Sequence, residues 1–318
     1  MATPIGTNEI NSLSRRYIIP TIYDLFYKSN LMFFRLNAKL KKMVQGGLQI
    51  EVPLMYQGFA AGGYYQGYDL LDVSPSDTVL NAAFDWKQAY VPVSVDGLTL
   101  IRADSPEQVV NFLSVYFEQA GMQLAEILGQ GVWSSGTNAK SIDGIPFAVD
   151  NGTVTGINVY GGINRNTSAF WAGQIDNTTT ISLLALQTGF GNVTQGGRHP
   201  TIGATTQAIY NRYWNLNVPG QAFPVQPSAV DEQLAQSGFT NLLFNGVPIA
   251  VDSHIPANNF FWLNEDYIFL YVNPRADFNM KEFREPVNQD AMTSQVLWAG
   301  NLVVANPNLQ YRFYQMSM

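Results

Sequence analysis

A single long amphipathic helix is the sequence feature that most constrains how this chain can fold. Ser105, Pro106 and Gln108 form the start signal of such a helix, a capping box with proline at the first helical position. Glycines at positions 129 and 131 predict its end, which gives a spine of about 24 residues and about 35 Å. The residues expected to form its buried stripe are Val109, Leu113, Tyr116, Phe117, Ala120, Leu124, Ile127 and Leu128.

The segment that follows the helix, residues 131–171, contains no recognisable catalytic device. Its string Gly-Gly-Ile-Asn-Arg at 161–165 is similar to a phosphate-binding loop only in its glycines, because the Gly-Lys-Ser/Thr ending is missing. We interpret it as a turn in which Arg165 meets a carboxylate, which could belong to a neighbouring chain. The segment therefore favours a structural protein over an enzyme.

Short motifs spread over the chain, from about residue 20 to its end, carry a resemblance to a known family. In this order, and together with the long helix, they resemble the major capsid proteins of tailed double-stranded DNA bacteriophages, which have the Hong Kong 97-type coat fold. Each string is short, and the specificity lies in their order. The strings are GGLQIEVPLMY at 46–56, IDGI at 142–145, GGINRNT at 161–167 with FW at 170–171, GF at 238–239, FNGVPI at 244–249 with Asp252, NQD at 288–290 and GNL at 300–302.

The resemblance implies an α+β fold of four parts. These are an N-terminal arm (1–45), an extended β-hairpin loop (46–97), a peripheral domain with the spine helix (98–140 and 281–318) and an axial domain (141–280). It also implies a homo-oligomer that assembles in the host cytoplasm, through pentamers and hexamers, into the icosahedral shell of a virion enclosing double-stranded DNA. Separate scaffolding, portal and decoration proteins, and non-specific contact with the packaged DNA, belong to the same expectation.

Composition fits a chain whose surface is covered by neighbours. Charged residues make up 13% of the 318 residues, whereas an average soluble domain has about 25%. The absence of cysteine excludes disulfides and thiolate catalysis. No apolar run approaches the roughly 18 residues of a membrane span, so we expect no membrane partner.

Charge is unevenly distributed along the chain. Residues 1–42 carry seven basic and two acidic side chains, although the whole chain has a net charge of −7. This basic arm predicts docking onto an acidic surface, either a neighbouring subunit or packaged DNA. Helices are predicted at 20–28 and 31–43, with Asn30 capping the second, and their apolar residues should need another surface to bury them.

An extended hairpin is predicted after the arm. Residues 48–56 alternate like a strand, 58–78 are rich in Gly, Tyr, Asp and Ser, and 79–100 form a second strand region. Such a hairpin is marginal alone, so it should lie on another surface. Further elements are predicted as helices at 180–188 and 206–216, strands at 201–204, 242–252 and 267–272, and strands at 296–305 and 310–314 that pair with each other.

The candidate inter-subunit contacts come from the arm, the hairpin and the glycine-rich turn. Some members of the resembled family join a hairpin lysine covalently to an asparagine of a neighbour. Lys87 is the only lysine between residues 46 and 100, but no partner asparagine stands out, so we do not predict cross-linking. The candidates are Arg15, Arg16, Phe26, Phe33, Arg35, Tyr64, Tyr65, Trp86, Lys87 and Arg165.

Two other function classes remain open from the residues alone. Asp252 and His254, with His199, are the only His/Asp set for a metal site or an acidic hydrolase, and ordinary turn residues are the simpler interpretation. Six Trp and sixteen Tyr with a polar middle segment would also suit a glycan-binding or adhesin-like protein. We predict no catalytic residue, cofactor or metal.

Overall fold

A computed structural model describes residues 30–59, 61–98, 106–177, 180–217 and 242–316, and of residues 106–112 and 114 only the backbone. The predicted helix at 20–28 and the capping residue Ser105 lie outside this range. The described helices are α1 (Leu31–Lys39), α2 (Pro106–Val132), α3 (Ile145–Ala148), α4 (Leu183–Asn192) and α5 (Gln207–Asn217), with 3₁₀ turns at Ala169–Trp171, Glu265–Tyr267, Pro274–Ala276 and Pro307–Leu309. The strands are β1 (Lys41–Met43), β2 (Gln49–Met55), β3 (Val79–Asp85), β4 (Lys87–Asp96), β5 (Val159–Tyr160), β6 (Ile163–Asn164), β7 (Gln174–Asp176), β8 (Ile202–Thr205), β9 (Leu242–Phe244), β10 (Val247–Val251), β11 (Phe260–Leu263), β12 (Ile268–Val272), β13 (Asn279–Met280), β14 (Ala291–Val304) and β15 (Tyr311–Phe313).

The predicted spine helix is present as α2, but it ends later than the sequence indicated. It continues through Gly129 and Gly131 to Val132. A Cβ at position 129 would collide with the Asn30 side chain, and one at position 131 would lie 2.7 Å from the Cγ1 of Ile142. These glycines therefore allow close packing against the helix rather than ending it. The described part of the predicted stripe is buried at Leu113, Phe117, Ala120, Leu124 and Leu128, whereas Ile127 is exposed.

The first sheet is organised around the long strand β14. Its strand order is β1-β12-β14-β13, and β4 pairs with the first ten residues of β14. Alternate residues of β4 are buried, namely Val91, Val93 and Val95. This alternation matches a strand with one face covered by α2 and the other exposed.

The second sheet has both faces covered. Its order is β7-β15-β11-β8-β10-β9. All four residues of β11 are buried: Phe261 and Leu263 belong to the core shared with α2, whereas Phe260 and Trp262 belong to a second core with α4 and α5. Because successive side chains point to opposite faces of a sheet, burial on both faces gives a continuous apolar run.

The basic segment around residues 31–43 is part of this core rather than a free arm. Asn30 caps α1 as predicted, since its side chain accepts a hydrogen bond from the amide of Phe33. The helix ends at Lys39, and residues 41–43 form β1, parallel to β12, instead of continuing the helix. Lys41 forms an ion pair with Asp277 at 2.5 Å. These apolar residues were expected to need another surface to bury them, and for α1 that surface is the core of the same chain.

The C-terminal strands are placed differently from the prediction. Residues 296–305 lie in β14 and residues 311–313 in β15, but these strands belong to different sheets and do not pair with each other. A 3₁₀ turn at Pro307–Leu309 carries the chain from the first sheet to the second. There β15 lies between β7 and β11. The end of the described chain thus ties the two sheets together.

Candidate assembly interface: the hairpin arm and its anchor

The hairpin arm consists of residues 49–85. β2 and β3 form seven antiparallel pairs, from Gln49 opposite Asp85 to Met55 opposite Val79. The predicted second strand region is split at Trp86, because β3 stays in the hairpin and β4 pairs with β14. The hairpin therefore ends twelve residues before the predicted boundary at 97, and β4 belongs to the first sheet.

The tip of the arm, residues 56–78, exposes large apolar side chains. Tyr64, Tyr68 and Leu70 are fully exposed, at 109%, 106% and 101% of their reference areas. Contiguous exposed apolar surface on a folded chain marks an interaction site. The exposed apolar residues of the tip are Phe59, Tyr64, Tyr65, Tyr68, Leu70, Leu71 and Val73. Two of the predicted contacts, Tyr64 and Tyr65, lie on this surface, and their contact with a neighbour remains a prediction.

An aromatic cluster centred on Tyr160 holds the base of the arm. The ring of Phe84, in β3, packs edge-on against Tyr160 at 5.1 Å, and Phe147 and Trp171 pack against the same ring at 5.4 and 5.7 Å. The indole N–H of Trp171 donates to the Tyr160 carbonyl at 2.8 Å. The Tyr160 hydroxyl accepts from the amide of Val304, in β14, at 2.9 Å. Burial raises the pKa of this hydroxyl above its ordinary value.

The turn between β5 and β6 reaches the arm directly through Gly161. The amide of Ala83, in β3, donates to the Gly161 carbonyl at 3.0 Å. Gly161 has a φ of +57°, and a Cβ there would lie 2.7 Å from the Cζ of Phe84. The position therefore needs glycine both for its backbone conformation and for the close approach of Phe84. The Gly-Gly-Ile-Asn string thus supports the hairpin, a role that its sequence did not reveal.

Arg165, from the same string, is buried inside the subunit. Its Nη2 donates to the Phe147 carbonyl at 2.7 Å, and its guanidinium lies over the rings of Tyr160 and Phe147 at 5.0 and 5.3 Å. Its Nη1 lies 4.0 Å from the carboxylate of Asp150. Burial lowers the pKa of Arg165. The predicted turn and carboxylate are present, but the carboxylate belongs to the same chain, so the assignment of Arg165 as a neighbour contact is wrong.

A buried amide fixes the point where β3 passes into β4. Asn301, in β14, is completely buried, and its Nδ2 donates to the Asp85 carbonyl at 2.9 Å and to the Asp143 carboxylate at 2.8 Å. The amide of Asp143 donates back to the Asn301 Oδ1 at 2.9 Å. Burial raises the pKa of Asp143, while the Asn301 hydrogen bond and the charge of Lys87 act against this shift. The IDGI and GNL strings meet here, at the junction between β3 and β4.

Trp86 and Lys87, two of the predicted inter-subunit contacts, lie at the same junction between β3 and β4 and are half-buried. The indole N–H of Trp86 donates to the Gly47 carbonyl at 3.1 Å. The Lys87 ammonium donates to the Ala139 carbonyl at 2.7 Å. Both therefore help to hold the base of the arm, and a further contact with a neighbouring subunit remains a prediction.

Phe33 and Arg35 do not lie on an accessible surface. Each is only 1% exposed. Arg35 makes two hydrogen bonds of 2.6 Å to the carboxylate of Glu265, which also accepts from the Thr201 hydroxyl at 3.1 Å. Their assignment as inter-subunit contacts is wrong, because the core of the subunit itself encloses them. Arg15, Arg16 and Phe26 lie outside the described residues.

Asp252 and His254 pair with each other, and His254 also contacts Glu126, so they link the residues after β10 to α2. The His254 Nδ1 lies 3.1 Å from Asp252 Oδ1, and its Nε2 lies 3.0 Å from Glu126 Oε2 in α2. The hydrogen bond to His254 lowers the pKa of Glu126, with a smaller effect from Gln130. His199 instead contacts the Pro200 carbonyl. Within the described part of the chain, no group of three acidic or histidine side chains is arranged to hold a metal ion. Nor does any described helix have the length and apolarity to cross a membrane.

Comparison with known proteins gives a clear result for the fold. No family model and no curated protein sequence matches the chain. Matching solved structures include the cyanophage A-1(L) capsid asymmetric unit, at 15% identity over 89% of this chain and 92% of that chain, with a TM-score of 0.64. The capsid of the native GTA particle matches at 9% identity over 92% of this chain and 91% of that chain, with a TM-score of 0.61. The holo-SrpI encapsulin complex from Synechococcus elongatus PCC 7942 matches at 10% identity over 89% of this chain and 87% of that chain, with a TM-score of 0.55.

These likenesses extend over nearly the whole of each chain. At sequence identities of 9 to 15%, what the chains share is their fold. The chain therefore has the mixed helix-and-sheet fold of phage capsid proteins, and the predicted Hong Kong 97-type coat fold is confirmed. The same fold occurs in the encapsulin complex and in a virus-like particle from Pyrococcus furiosus, which has a TM-score of 0.51 to this chain.

Proposed function

We propose that this chain is the major capsid protein of a tailed phage, without enzymatic activity. In this proposal it assembles through pentamers and hexamers into an icosahedral shell that encloses double-stranded DNA. The observation that carries the proposal is the hairpin arm, whose apolar tip has no cover within the described residues. The arm projects from a fold that phage capsid subunits share.

The energetics of the arm favour burial against another subunit. A two-stranded hairpin is marginal in water by itself. Burying one large apolar side chain contributes roughly 1.5–3 kcal/mol, so the seven exposed apolar residues of the tip could contribute on the order of 10 kcal/mol before ordering is subtracted. In this proposal the tip docks on a different part of a neighbouring chain, which makes the contact heterologous, and heterologous contacts form rings where the rotation closes.

Electrostatics would orient this contact rather than drive it. Between Val52 and Trp86 the chain carries four acidic residues and no basic one. An acidic arm is steered toward cationic surface and away from a second acidic arm. The effect should weaken as added salt screens the charges.

The finer organisation belongs to the same proposal. We assign residues 1–45 to an N-terminal arm, 98–140 and 281–318 to a peripheral domain, and 141–280 to an axial domain, with 46–97 as the extended loop. The described elements cross these boundaries. In the N-terminal arm, α1 lies in the core and β1 in the first sheet. In addition, β4 of the extended loop and β12 of the axial domain join the first sheet, and β15 of the peripheral domain joins the second. The shell would form in the host cytoplasm and become part of the virion. Scaffolding, portal and decoration proteins would be separate chains, and contact with packaged DNA would be non-specific.

The experiment is to express the chain and two altered tips, and to image the products by electron microscopy with sedimentation velocity in parallel. In the first variant Tyr64, Tyr65, Tyr68, Leu70 and Leu71 are replaced by Ser, which removes apolar area and keeps the length of the tip. We expect folded subunits that no longer form rings or shells.

The matched control changes charge in the same segment and leaves its apolar residues intact. Asp69, Asp72 and Asp77 become Asn, and we expect assembly to persist with a weaker dependence on salt. A parent chain that stays monomeric at every concentration, with and without scaffolding protein, would contradict self-assembly. Closed shells that never protect DNA from nuclease would contradict only the DNA-packaging part.

A further inference from the structure

The free edges of the described sheets are of two kinds. The strands β1, β7, β9 and β13 are edges of only two or three residues. By contrast, β2 and β3 are seven residues long and β4 is ten. A long free edge presents unpaired backbone groups and is a template for pairing with another chain. The long edges therefore need protection.

The long edge of β4 carries Pro92 at its centre. The amide of Lys281 donates to the Gln295 carbonyl at 2.9 Å, so the backbone groups of Gln295 point toward β13. Pro92 is the residue opposite Gln295 in β4. Opposite residues in an antiparallel pair either bond to each other or both point away. The backbone nitrogen of Pro92 therefore points to the free edge of β4.

The edge of β2 likewise carries a proline, Pro53, whose backbone nitrogen points to the free edge. The amide of Ala83 in β3 donates to Gly161, outside the hairpin, so the backbone of Asn81, two residues earlier, also points outward. Pro53 is opposite Asn81, and its nitrogen therefore points to the free edge of β2. The third long edge, β3, is instead occupied at Ala83 by the bond to Gly161.

We propose that Pro53 and Pro92 are edge guards, which prevent copies of this chain from adding strands to β2 and β4. Proline has no N–H, so an incoming strand would lose a ladder bond at the middle of each edge. Both proline side chains are exposed, so packing within the subunit does not explain their presence. The valines around Pro92, at 91, 93 and 95, have high strand propensity, which makes this edge a pairing hazard without the guard.

This inference goes beyond the proposed function, because it states which contacts between copies are barred, whether or not a shell forms. It concerns backbone pairing at two strand edges, whereas the proposed assembly uses side chains of the tip. The two ideas can therefore fail separately. The test is made at protein concentrations where the parent chain is dispersed.

The test uses Pro92→Val and Pro53→Val, each of which restores an edge N–H. We expect urea midpoints close to the parent, loss of the monomer peak in sedimentation velocity, and thioflavin binding. In hydrogen exchange, the new amide at position 92 should exchange rapidly in the monomer and become protected in the associated form. Pro286→Val makes the same chemical change in a loop and should stay dispersed. Pro92→Lys also restores the N–H, but its charge should block pairing and keep the chain dispersed.

Each contrary result would overturn the proposal. Valine variants that fold and remain as dispersed as the parent would show that proline is not what protects these edges. Association with an unprotected amide at position 92, or equal association of Pro286→Val, would assign the aggregation to another surface. If Pro92→Lys associated as readily as Pro92→Val, the contact would not be strand pairing at this edge, and the guard role of Pro92 would be rejected.

Discussion

A single methyl group added at Gly161 should loosen the base of the hairpin arm, and its neighbour Gly162 provides the control. Both residues have positive φ, at +57° and +77°. A Cβ at 161 would lie 2.7 Å from the Cζ of Phe84 and 3.2 Å from the Cβ of Ala82, whereas a Cβ at 162 would meet no atom within 4 Å. The two substitutions to Ala therefore share the backbone penalty and differ in the collision.

The expected magnitudes follow from these contacts. An L-residue in the left-handed region costs about 1–2 kcal/mol, and overpacking adds about 1–3 kcal/mol. Gly161→Ala should lower the free energy of unfolding by about 2–5 kcal/mol, and Gly162→Ala by about 1–2 kcal/mol. In a Phe84→Leu background, which shortens the colliding side chain, the penalty at 161 should shrink toward that at 162.

Urea denaturation of unassembled protein measures these differences, and hydrogen exchange localises them. The Ala83 amide, which donates to Gly161, should lose protection in Gly161→Ala and keep it in Gly162→Ala. Equal destabilisation by the two substitutions would refute the reasoning. So would a penalty at 161 that Phe84→Leu leaves unchanged, because the collision would then not be its cause.

Three further outcomes follow from the same structure. Leu124→Ala should cost about 2–5 kcal/mol in urea denaturation by leaving a core cavity, whereas Met122→Ala, on the exposed side of α2, should change stability by less than about 0.5 kcal/mol. Arg35→Met should cost about 3–5 kcal/mol by leaving Glu265 buried and unpaired, and adding Glu265→Leu should recover much of it. Because burial raises the pKa of Asp143, the folded chain holds that proton more tightly than the unfolded chain. This contribution to stability is present below the unfolded pKa of about 3.9 and declines as pH rises through the folded pKa. Asp143→Asn should remove that decline when unfolding is measured against pH.

Local signals predicted the buried face of α2, the start of α1 and the first strand of the hairpin. The apolar stripe identified the buried face of α2 at Leu113, Phe117 and Leu124, and Asn30 identified the start of α1. The alternation at 48–56 identified β2. These features depend on residues a few positions apart, so a linear sequence displays them.

The candidate site was predicted in outline and missed in its detail. The Gly- and Tyr-rich tip indicated an extended hairpin, and the hairpin is present with exposed apolar side chains at its tip. The anchor was missed, because Phe84, Gly161 and Asn301 are far apart in the chain and none belongs to a periodic pattern. Two adjacent glycines before Ile163 were the available signal for a close backbone approach, but they did not identify the partner.

By itself, the sequence determined features that neighbouring residues specify: the Asn30 cap of α1, the period of the spine helix and the alternation of β2. Only the tertiary structure decided which strands pair and which charged residues are enclosed. Arg35 looked like part of a basic surface until its partner, 230 positions away, was seen to be Glu265. Gly129 looked like a helix end until the Asn30 side chain was found against it. The physical reason is that dihedral preference and periodicity act over one or two turns, whereas burial and pairing depend on residues that folding alone brings together.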